Sequence, residues 1–178
     1  GSAPRSRAPS PGRRLARSIT RQQCAQVDAL IAPSEPMREM LVSIGVRTPV
    51  TVIPTGLPAD RFVRGDGARF RARYAIPPGR PLVLYVGRVA HEKNIGFLIE
   101  CFTEIKRAQP NATLVIAGEG PARVALMARA EQLGLSRDIF FVGYLDRERS
   151  LADCYAAGDV FLFASVTETQ GLVVVEAM

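Results

Sequence analysis

The chain carries the sequence DVFLFASVTETQGLVVVEAM at residues 159–178. Its first six residues form a short apolar run rich in β-forming side chains, which predicts a buried strand at 159–164. A polar loop follows from Ser165 to Gln170, and an apolar segment that predicts a helix begins at Gly171. This order places two carboxylates, Glu168 and Glu176, near the free N–H groups of a helix N-terminus, which is a favourable site for a phosphate.

The spacing of these two glutamates limits their chemistry. If both lay on one helix, the rise alone would separate their backbones by about 12 Å. The two carboxyl groups of a glycoside hydrolase are roughly 5 to 9.5 Å apart. Long side chains could bridge that difference, but the spacing favours two carboxylates that hold separate parts of one long ligand. An amphipathic helix with incidental glutamates is the alternative interpretation of the spacing by itself.

Upstream of this stretch, apolar strand patterns alternate with helical ones. The predicted strands are 82–86, 112–117, 139–142 and 160–164, and the predicted helices between them are 95–108, 123–134 and 147–157. Ile95, Leu98, Ile99, Phe102 and Ile105 form a stripe with the 3.6-residue period of a helix. Helices of this length between apolar strands predict βαβ crossovers, so the fold class is α/β with a Rossmann-like parallel sheet.

The N-terminal third contains a second, shorter alternation. Residues 3–12 are rich in Pro, Ser and Arg and are predicted to be disordered. The predicted elements that follow are a helix at 13–27, a buried strand at 28–32, a helix at 35–44 with Ser34 as its N-cap and Gly45 at its end, a strand at 50–53 and a short helix at 67–74.

The charge of the chain is concentrated at its start. Of 178 residues, 47% are hydrophobic, which suffices for one sizeable core, and no apolar run approaches the roughly 20 residues that span a bilayer. Residues 1–27 hold six arginines and no acidic residue, which leaves 17 basic and 17 acidic residues elsewhere. A neutral body argues against nucleic-acid binding. The arginine cluster could contact acidic lipid headgroups or could form a solvated helix face.

The cysteines and the single histidine predict no metal site. Cys24, Cys101 and Cys154 are odd in number and far apart, which indicates reduced thiols in a cytoplasmic protein. His91 has no evident partner and is predicted to be an exposed loop residue.

The loop after the predicted strand 82–86 is the second stretch with evident chemistry. It reads GRVAHEK at residues 87–93 and lies where an open α/β sheet places its ligand, at the carboxyl end of a strand. Gly87 permits a tight turn, Arg88 offers a planar fork for phosphate oxygens, and Lys93 offers a point charge on a long stem. A solvated basic loop is the alternative interpretation. The turn GEGP at 118–121 does not fit the dinucleotide fingerprint, because Arg stands at position 123.

Together these motifs resemble those of the family 4 retaining glycosyltransferases, which use nucleotide sugars and have the GT-B fold. The resemblance rests on the Gly-Arg-x3-Glu-Lys pattern at 87–93 and on Glu168-x7-Glu176 followed by Ala-Met. It also includes the passage from Ile31 to Gly56, which resembles the end of the N-terminal domain and the hinge, with Phe62 in the place of a usual hinge Phe.

The resemblance implies roles for particular residues. Arg88 and Lys93, with Gly87, would hold the donor diphosphate. Glu168 would contact the hydroxyls of the transferred sugar and is the candidate catalytic residue, while Glu176 would hold the ribose hydroxyls. The remaining predicted donor contacts are backbone groups: Gly171 and Leu172 at the phosphate, and Val142 beside the base. The donor implied is a UDP-sugar, with a GDP-sugar as the alternative, and no cofactor or metal is implied.

The same resemblance assigns residues 1–55 to the Arg-rich segment, the last elements of the acceptor domain and the hinge, and residues 56–178 to the first part of the donor domain. We therefore expect the chain to be a fragment that transfers no sugar alone. The sequence TETQGL at 167–172 resembles that of members that glucosylate diacylglycerol and so points to a lipid acceptor, with a glycan as the alternative. The N-terminal arginines would allow peripheral contact with the inner membrane face. A non-enzymatic nucleotide-binding module, and a GT-B epimerase or phosphorylase, are the competing hypotheses.

Overall fold

The computed structural model describes residues 10–57, 65–165, 168 and 170–178 of the chain. The chain divides into two compact units, Gly1–Gly56 and Leu57–Met178. The predicted hinge residue Phe62 and the threonines at 167 and 169 lie outside the described residues.

The first unit contains two helices and two parallel strands. Its elements are α1 Pro11–Cys24, β1 Leu30–Ala32, α2 Glu35–Ser43 and β2 Val50–Val52. β1 pairs with β2 from Leu30↔Val50 to Ala32↔Val52. Gly45 adopts a φ of +92° and ends α2, as its position predicts.

Three predictions for this unit are corrected by the structure. α1 begins at Pro11 and not at Arg13, because Pro is well suited to the first turn of a helix, so the predicted disorder is wrong at Pro11 and Gly12. The helix also ends at Cys24 rather than at residue 27. β1 is not a buried strand: Ile31 is 68% exposed, because alternate side chains of a two-stranded sheet face away from α2.

The second unit is a four-stranded, wholly parallel sheet with helices on both faces. Its strands are β3 Leu82–Val86, β4 Thr113–Ala117, β5 Ile139–Gly143 and β6 Val160–Phe161, in the order β5-β4-β3-β6. Its helices are α3 Gly67–Arg73, α4 Ile95–Ala108, α5 Arg123–Gln132, α6 Ser150–Ala157 and α7 Leu172–Ala177, with a 3₁₀ turn at His91–Lys93. The predicted α/β class and Rossmann-like parallel sheet are confirmed.

Two apolar clusters cover the two faces of this sheet. Val83 and Tyr85 of β3 point to a cluster that includes Ile99 and Phe102 of α4 and Leu126 of α5. The alternate β3 residues point to the opposite cluster, which includes Phe70 of α3 and Cys154 of α6. Every residue of β3 and β4 is buried because helices cover both sides of these strands.

Several elements of the second unit differ from their predicted bounds. The helix predicted at 123–134 ends at Gln132. β6 is two residues long and Val160 is 52% exposed, because β6 is the edge strand and pairs only with β3. α6 begins at Ser150 and not at residue 147, since the Asp146 carboxylate accepts the Arg149 N–H at 2.9 Å in a turn before the helix. α7 begins at Leu172, after Gly171 at a φ of +64°. None of the described helices has both the length and the apolar composition needed to span a membrane.

Candidate functional site

The order of the strands marks the place where a ligand would bind. The chain runs outward from β3 through β4 to β5 and then returns, so that β6 lies on the other side of β3. In open α/β sheets, ligands bind at the carboxyl ends of the strands where the order reverses in this way. Here that place lies between the loop after β3 and the loop that leads from β6 to α7.

The loop after β3 is held by close backbone packing. The Val89 N–H donates to the Glu119 carbonyl at 2.9 Å, and the Tyr85 hydroxyl donates to the Arg88 carbonyl at 3.0 Å. A Cβ on Gly118 would lie 1.9 Å from the Gly87 carbonyl oxygen, so a side chain at position 118 would separate the two loops. The GEGP turn therefore packs against the backbone of the loop after β3 and fixes the position of that loop.

A first cavity of about 430 Å³ opens between these two loops. From the loop after β3 it is lined by Gly87, Arg88, Glu92 and Lys93, and from the segment before α7 by Glu168, Gln170, Gly171, Leu172 and Val173. Tyr85, Val86 and Phe163 form the rest of its lining. The structure thus brings together six of the predicted site residues from segments about 75 positions apart in sequence.

The two cations of the first cavity each contact a carboxylate. Arg88 pairs with Glu92 and Lys93 pairs with Glu168. The Arg88 side chain is 65% exposed whereas that of Lys93 is 19% exposed, so Lys93 is the more enclosed charge. The pKa of the Glu92 carboxyl is lowered, chiefly because the Glu92 backbone N–H donates a hydrogen bond to it and also because the Arg88 charge lies nearby. Burial raises the pKa of the Tyr85 hydroxyl to about 12, and Glu168 contributes to that shift.

A second cavity of about 310 Å³ adjoins the first. The two share Val86, Gly87, Arg88 and Val173 in their linings. The second cavity is otherwise lined by residues from the ends of β4 and β5 and from the last helices: Ala117, Gly118, Glu119, Tyr144, Leu145, Arg147, Leu151 and Glu176. Together the cavities form one continuous cleft along the carboxyl edge of the sheet.

Glu176 is the buried charge of the second cavity. Its side chain is 1% exposed, and its Oε2 accepts a hydrogen bond from the Tyr155 hydroxyl at 2.9 Å. Its Oε1 has no hydrogen-bond donor within the described part of the chain, although Arg147 Nη1 lies 3.5 Å away. A buried carboxylate oxygen without a donor is costly in free energy, and the hydroxyls of a ligand would supply donors.

Val142 is the one predicted site residue that lines neither cavity. β5 is irregular at this point, because Ile116 pairs with Phe141 and Ala117 pairs with Gly143, so Val142 is passed over. Its side chain packs against the apolar cluster that contains Leu145. Tyr144 and Leu145 line the second cavity instead.

The sequence pattern does not identify several residues that line or contact the cleft. Tyr85, Phe163 and Tyr155 belong to patterns that are typical of apolar core, which conceals their contacts with the cleft. The sequence pattern predicts a helix that already includes Arg147, and Asp146, which can form a turn before a helix, is the signal that places Arg147 ahead of it. His91 is exposed, as predicted, and no group of three metal-ligating side chains clusters among the described residues.

Comparison with known proteins shows which families the sequence matches. The glycosyl transferases group 1 family matches residues 66–178, and glycosyltransferase family 4 matches residues 2–61. An alpha-monoglucosyldiacylglycerol synthase of Streptococcus pneumoniae is 32% identical over 85% of this chain and 35% of its own length. A D-inositol 3-phosphate glycosyltransferase of Nocardia farcinica is 32% identical over 96% of this chain and 39% of its own length.

The fold is shared with solved structures. HepE of Anabaena, solved in complex with UDP-glucose, matches 94% of this chain and 48% of its own with a TM-score of 0.81 at 20% identity. The structural neighbours are GT-B glycosyltransferases, which confirms the predicted GT-B fold. This chain corresponds to about half of such a fold. The chain spans little more than a third of the length of the two curated relatives named above.

Proposed function

The chain belongs to the glycosyl transferases group 1 family, and on that premise we propose that it carries the nucleotide-sugar site of a retaining glycosyltransferase. The donor would bind along the cleft of the second unit, and the sugar, a hexose, would pass to an acceptor. No cofactor is required by this proposal.

The observation that carries the proposal is the division of the cleft into two chemically different halves. The first cavity has two cations, Arg88 and Lys93, and two carboxylates, Glu92 and Glu168. The second has a larger share of apolar side chains and one buried carboxylate, Glu176. The other charged residues of the second cavity are more exposed: Arg88, Glu119 and Arg147. A nucleoside diphosphate sugar has the same sequence of chemical groups: a nucleoside with a vicinal diol, an anionic diphosphate and a polyhydroxy ring.

Each predicted residue then receives a role. Arg88 and Lys93 bind the diphosphate with charge-assisted hydrogen bonds, and the backbone at Gly87, Gly171 and Leu172 borders it. Glu168 accepts hydrogen bonds from the hydroxyls of the transferred sugar, and Glu176 accepts them from the hydroxyls of the ribose. The Val142 backbone remains the predicted neighbour of the base, beside Tyr144. We propose uridine as the base, as in the ligand of HepE, with guanosine as the alternative.

The reaction would break the bond between the anomeric carbon and the diphosphate oxygen. The leaving nucleoside diphosphate gains negative charge as that bond breaks, and Arg88 and Lys93 would stabilise this charge. Two fixed cations can supply the compensation that a divalent metal gives elsewhere, so we propose a metal-independent reaction. Retention of the anomeric configuration is tested by NMR of the product, in a protein that also contains the acceptor half.

For the acceptor we propose a lipid. The name of the S. pneumoniae relative specifies a glucosylated diacylglycerol as its product. In this chain, α1 has four arginines and no acidic residue, and its apolar side chains Leu15 and Ile19 are 63% and 47% exposed. A helix of this kind can lie at an anionic membrane surface. We therefore propose peripheral contact at the cytoplasmic face of a membrane, with a glycan acceptor as the alternative.

Vesicle cosedimentation tests this membrane contact. We expect the chain to bind vesicles that contain phosphatidylglycerol, and not phosphatidylcholine alone, with affinity that falls as salt rises. Replacing Arg13, Arg17 and Arg21 with Gln should abolish the binding, because each arginine near such a surface contributes about 1 kcal/mol. The matched control replaces three exposed arginines of the second unit, at positions 107, 129 and 137. Equal losses in both triple variants would contradict a specific role for α1.

Isothermal titration tests the donor site. We expect uridine diphosphate to bind this chain at least about tenfold more tightly than uridine, since charge-assisted bonds to the diphosphate contribute about 1.5 kcal/mol or more each. Guanosine diphosphate distinguishes the two candidate bases. No binding of either diphosphate at millimolar concentration would contradict the proposed function.

A further inference from the structure

Tyr155 is a polar contact of the cleft that lies outside both cavities. It belongs to α6, whereas Glu176 belongs to α7, so their 2.9 Å hydrogen bond joins the two helices. The tyrosine is half-buried and borders the apolar cluster beneath the second cavity. Its hydroxyl therefore reaches the carboxylate from the side of the core.

The hydrogen bond has a defined direction. Burial, and then the neighbouring Glu176 charge, raise the pKa of the Tyr155 hydroxyl well above its ordinary value. The hydroxyl thus keeps its proton over the whole physiological range and acts as the donor, while Oε2 of Glu176 accepts. Since Oε2 is held in this way, the carboxylate has one fixed orientation, in which Oε1 is the oxygen left without a donor among the described residues.

Arg147 is the remaining neighbour of that second oxygen. Its Nη1 lies 3.5 Å from Oε1, and its side chain is 68% exposed and lines the second cavity. Arg147 approaches Oε1 from the exposed side and makes no hydrogen bond with it, so a ligand hydroxyl that donates to Oε1 can take its place. The Tyr155 hydroxyl reaches Oε2 from the side of the apolar cluster, so solvent cannot replace it in the same way. The two contacts of Glu176 therefore differ: the one with Tyr155 is fixed and the one with Arg147 is exchangeable.

We propose that Tyr155 is a positioning residue. It holds Oε2 of Glu176 so that Oε1 can accept hydrogen bonds from the ribose hydroxyls in the second cavity. This inference rests on the proposed function, because it assigns the ribose to Glu176. The alternative is structural: the Tyr155–Glu176 bond would hold α7 against α6 and would stabilise the cleft without any preference for a ligand group.

A pair of ligands that differ only in the ribose hydroxyls distinguishes these roles. The probes are uridine diphosphate and 2′,3′-dideoxyuridine diphosphate, titrated calorimetrically into this chain. We expect the wild-type chain to prefer the ribose form about tenfold, the effect of one or two hydrogen bonds to a charged group. Glu176→Gln should reduce this preference to near unity, and this result tests the proposed function itself.

Tyr155→Phe tests the inference. It should lower the ribose preference at least threefold while leaving the affinity for the dideoxy ligand unchanged. Adding Tyr155→Phe to Glu176→Gln should cause no further loss, because the tyrosine acts through the glutamate. Tyr74→Phe, the same chemical change at a tyrosine that lines neither cavity, is the matched control and should keep the full preference.

The outcomes separate the two proposals. If Tyr155→Phe keeps the wild-type preference while Glu176→Gln loses it, the positioning role is overturned and the ribose assignment stands. If Tyr155→Phe weakens both ligands equally and lowers the melting temperature, the tyrosine is structural, which also overturns the inference. If Glu176→Gln keeps the preference, the ribose does not bind at Glu176 and both proposals fail.

Discussion

Arg88 and Lys93 each contact a carboxylate in this structure, and these contacts bear on how an anion would bind. Glu92 neutralises Arg88 from the same loop, while Glu168 neutralises Lys93 from the facing loop. A diphosphate must compete with both carboxylates. Lys93 is the more enclosed of the two cations, so the free energy of its interaction with an anion is screened less by solvent.

The first prediction concerns these two cations. Replacing Arg88 or Lys93 with Ala should weaken binding of a nucleoside diphosphate about tenfold or more and leave binding of the bare nucleoside almost unchanged. Isothermal titration with both ligands measures the difference. Arg129→Ala is the matched control, because Arg129 pairs with Glu100 outside the cleft. Equal losses for diphosphate and nucleoside would show that the cations act on the structure of the loop.

The second prediction concerns Glu168, which pairs with Lys93 in this structure and which we propose binds the transferred sugar. Glu168→Gln removes the charge that neutralises Lys93, so the affinity for free nucleoside diphosphate should be unchanged or higher. The affinity for the nucleotide sugar should fall relative to the diphosphate, because the sugar hydroxyls lose a charged acceptor. Titration of both ligands gives this ratio. A weaker diphosphate affinity in the variant would indicate that Glu168 serves to position Lys93.

At the scale of the elements, the cleft depends on two loops that touch through glycine. Gly118→Ala should destabilise the second unit by about 3 kcal/mol or more, because the new Cβ would overlap the Gly87 carbonyl oxygen and the φ of +132° is strained for alanine. Gly96→Ala is the control: its Cβ would meet no atom closer than 4.0 Å inside α4, so stability should be equal or higher. Chemical denaturation measures both, and equal stabilities would contradict the argument.

Asp153 connects two further elements, α3 and α6. Its carboxylate accepts the Asp66 N–H at 2.8 Å and Arg69 Nε at 2.6 Å, and its side chain is 7% exposed. The Arg69 hydrogen bonds lower the pKa of Asp153 in the folded state. A lowered pKa stabilises the fold above the unfolded-state value of about 3.9, and this contribution is lost as the pH falls through the folded-state pKa.

Asp153→Asn should accordingly destabilise the second unit by about 2 kcal/mol at neutral pH. Urea unfolding between pH 7 and pH 2 should show a constant difference from the wild type above about pH 5. The difference should shrink below about pH 4, where Asp153 of the unfolded wild-type chain takes up a proton while the folded chain, with its lowered pKa, still does not. Glu131→Gln, at an exposed residue of α5, is the control. A difference that does not depend on pH would mean that the charge of Asp153 contributes nothing.

The elements whose bounds were predictable are those in which local pattern and burial agree. β3 and α4 have their predicted bounds, because β3 is buried on both faces and α4 has an uninterrupted apolar stripe. β6 and α6 differ because their ends depend on a partner strand and on the Asp146 turn, neither of which is a property of the element's own sequence.

The candidate site divides in the same way. The charged residues could be identified from spacing and from the family resemblance, since charge at the end of an apolar strand is conspicuous. Tyr155 could not, because an aromatic residue inside a helix is typical of core and only the packing of α6 against α7 brings its hydroxyl to Glu176. Val142 lines no cavity for a similar reason, since a strand irregularity is not visible in sequence.

At the scale of the whole molecule, the described residues of the cleft all belong to the same unit. The described lining of both cavities comes from Leu57–Met178, and the arginines of α1 belong to Gly1–Gly56. The proposed donor binding and the proposed membrane contact therefore reside in different compact units, and each can be measured without altering the residues of the other.

The last prediction follows from that division. A ligand that binds only the folded form of a unit stabilises that unit by about 2.7 kcal/mol at a concentration of 100 times its Kd. In hydrogen exchange with saturating uridine diphosphate, we expect this added protection in β3, β4 and α4, which hold the core behind the cleft. Amides of α1, β1 and α2 should exchange at unchanged rates. The Lys93→Ala variant, at the same ligand concentration, should lose most of the gain. Equal protection across both units would show that they unfold as one cooperative structure, and protection confined to Gly1–Gly56 would place the ligand outside the cleft.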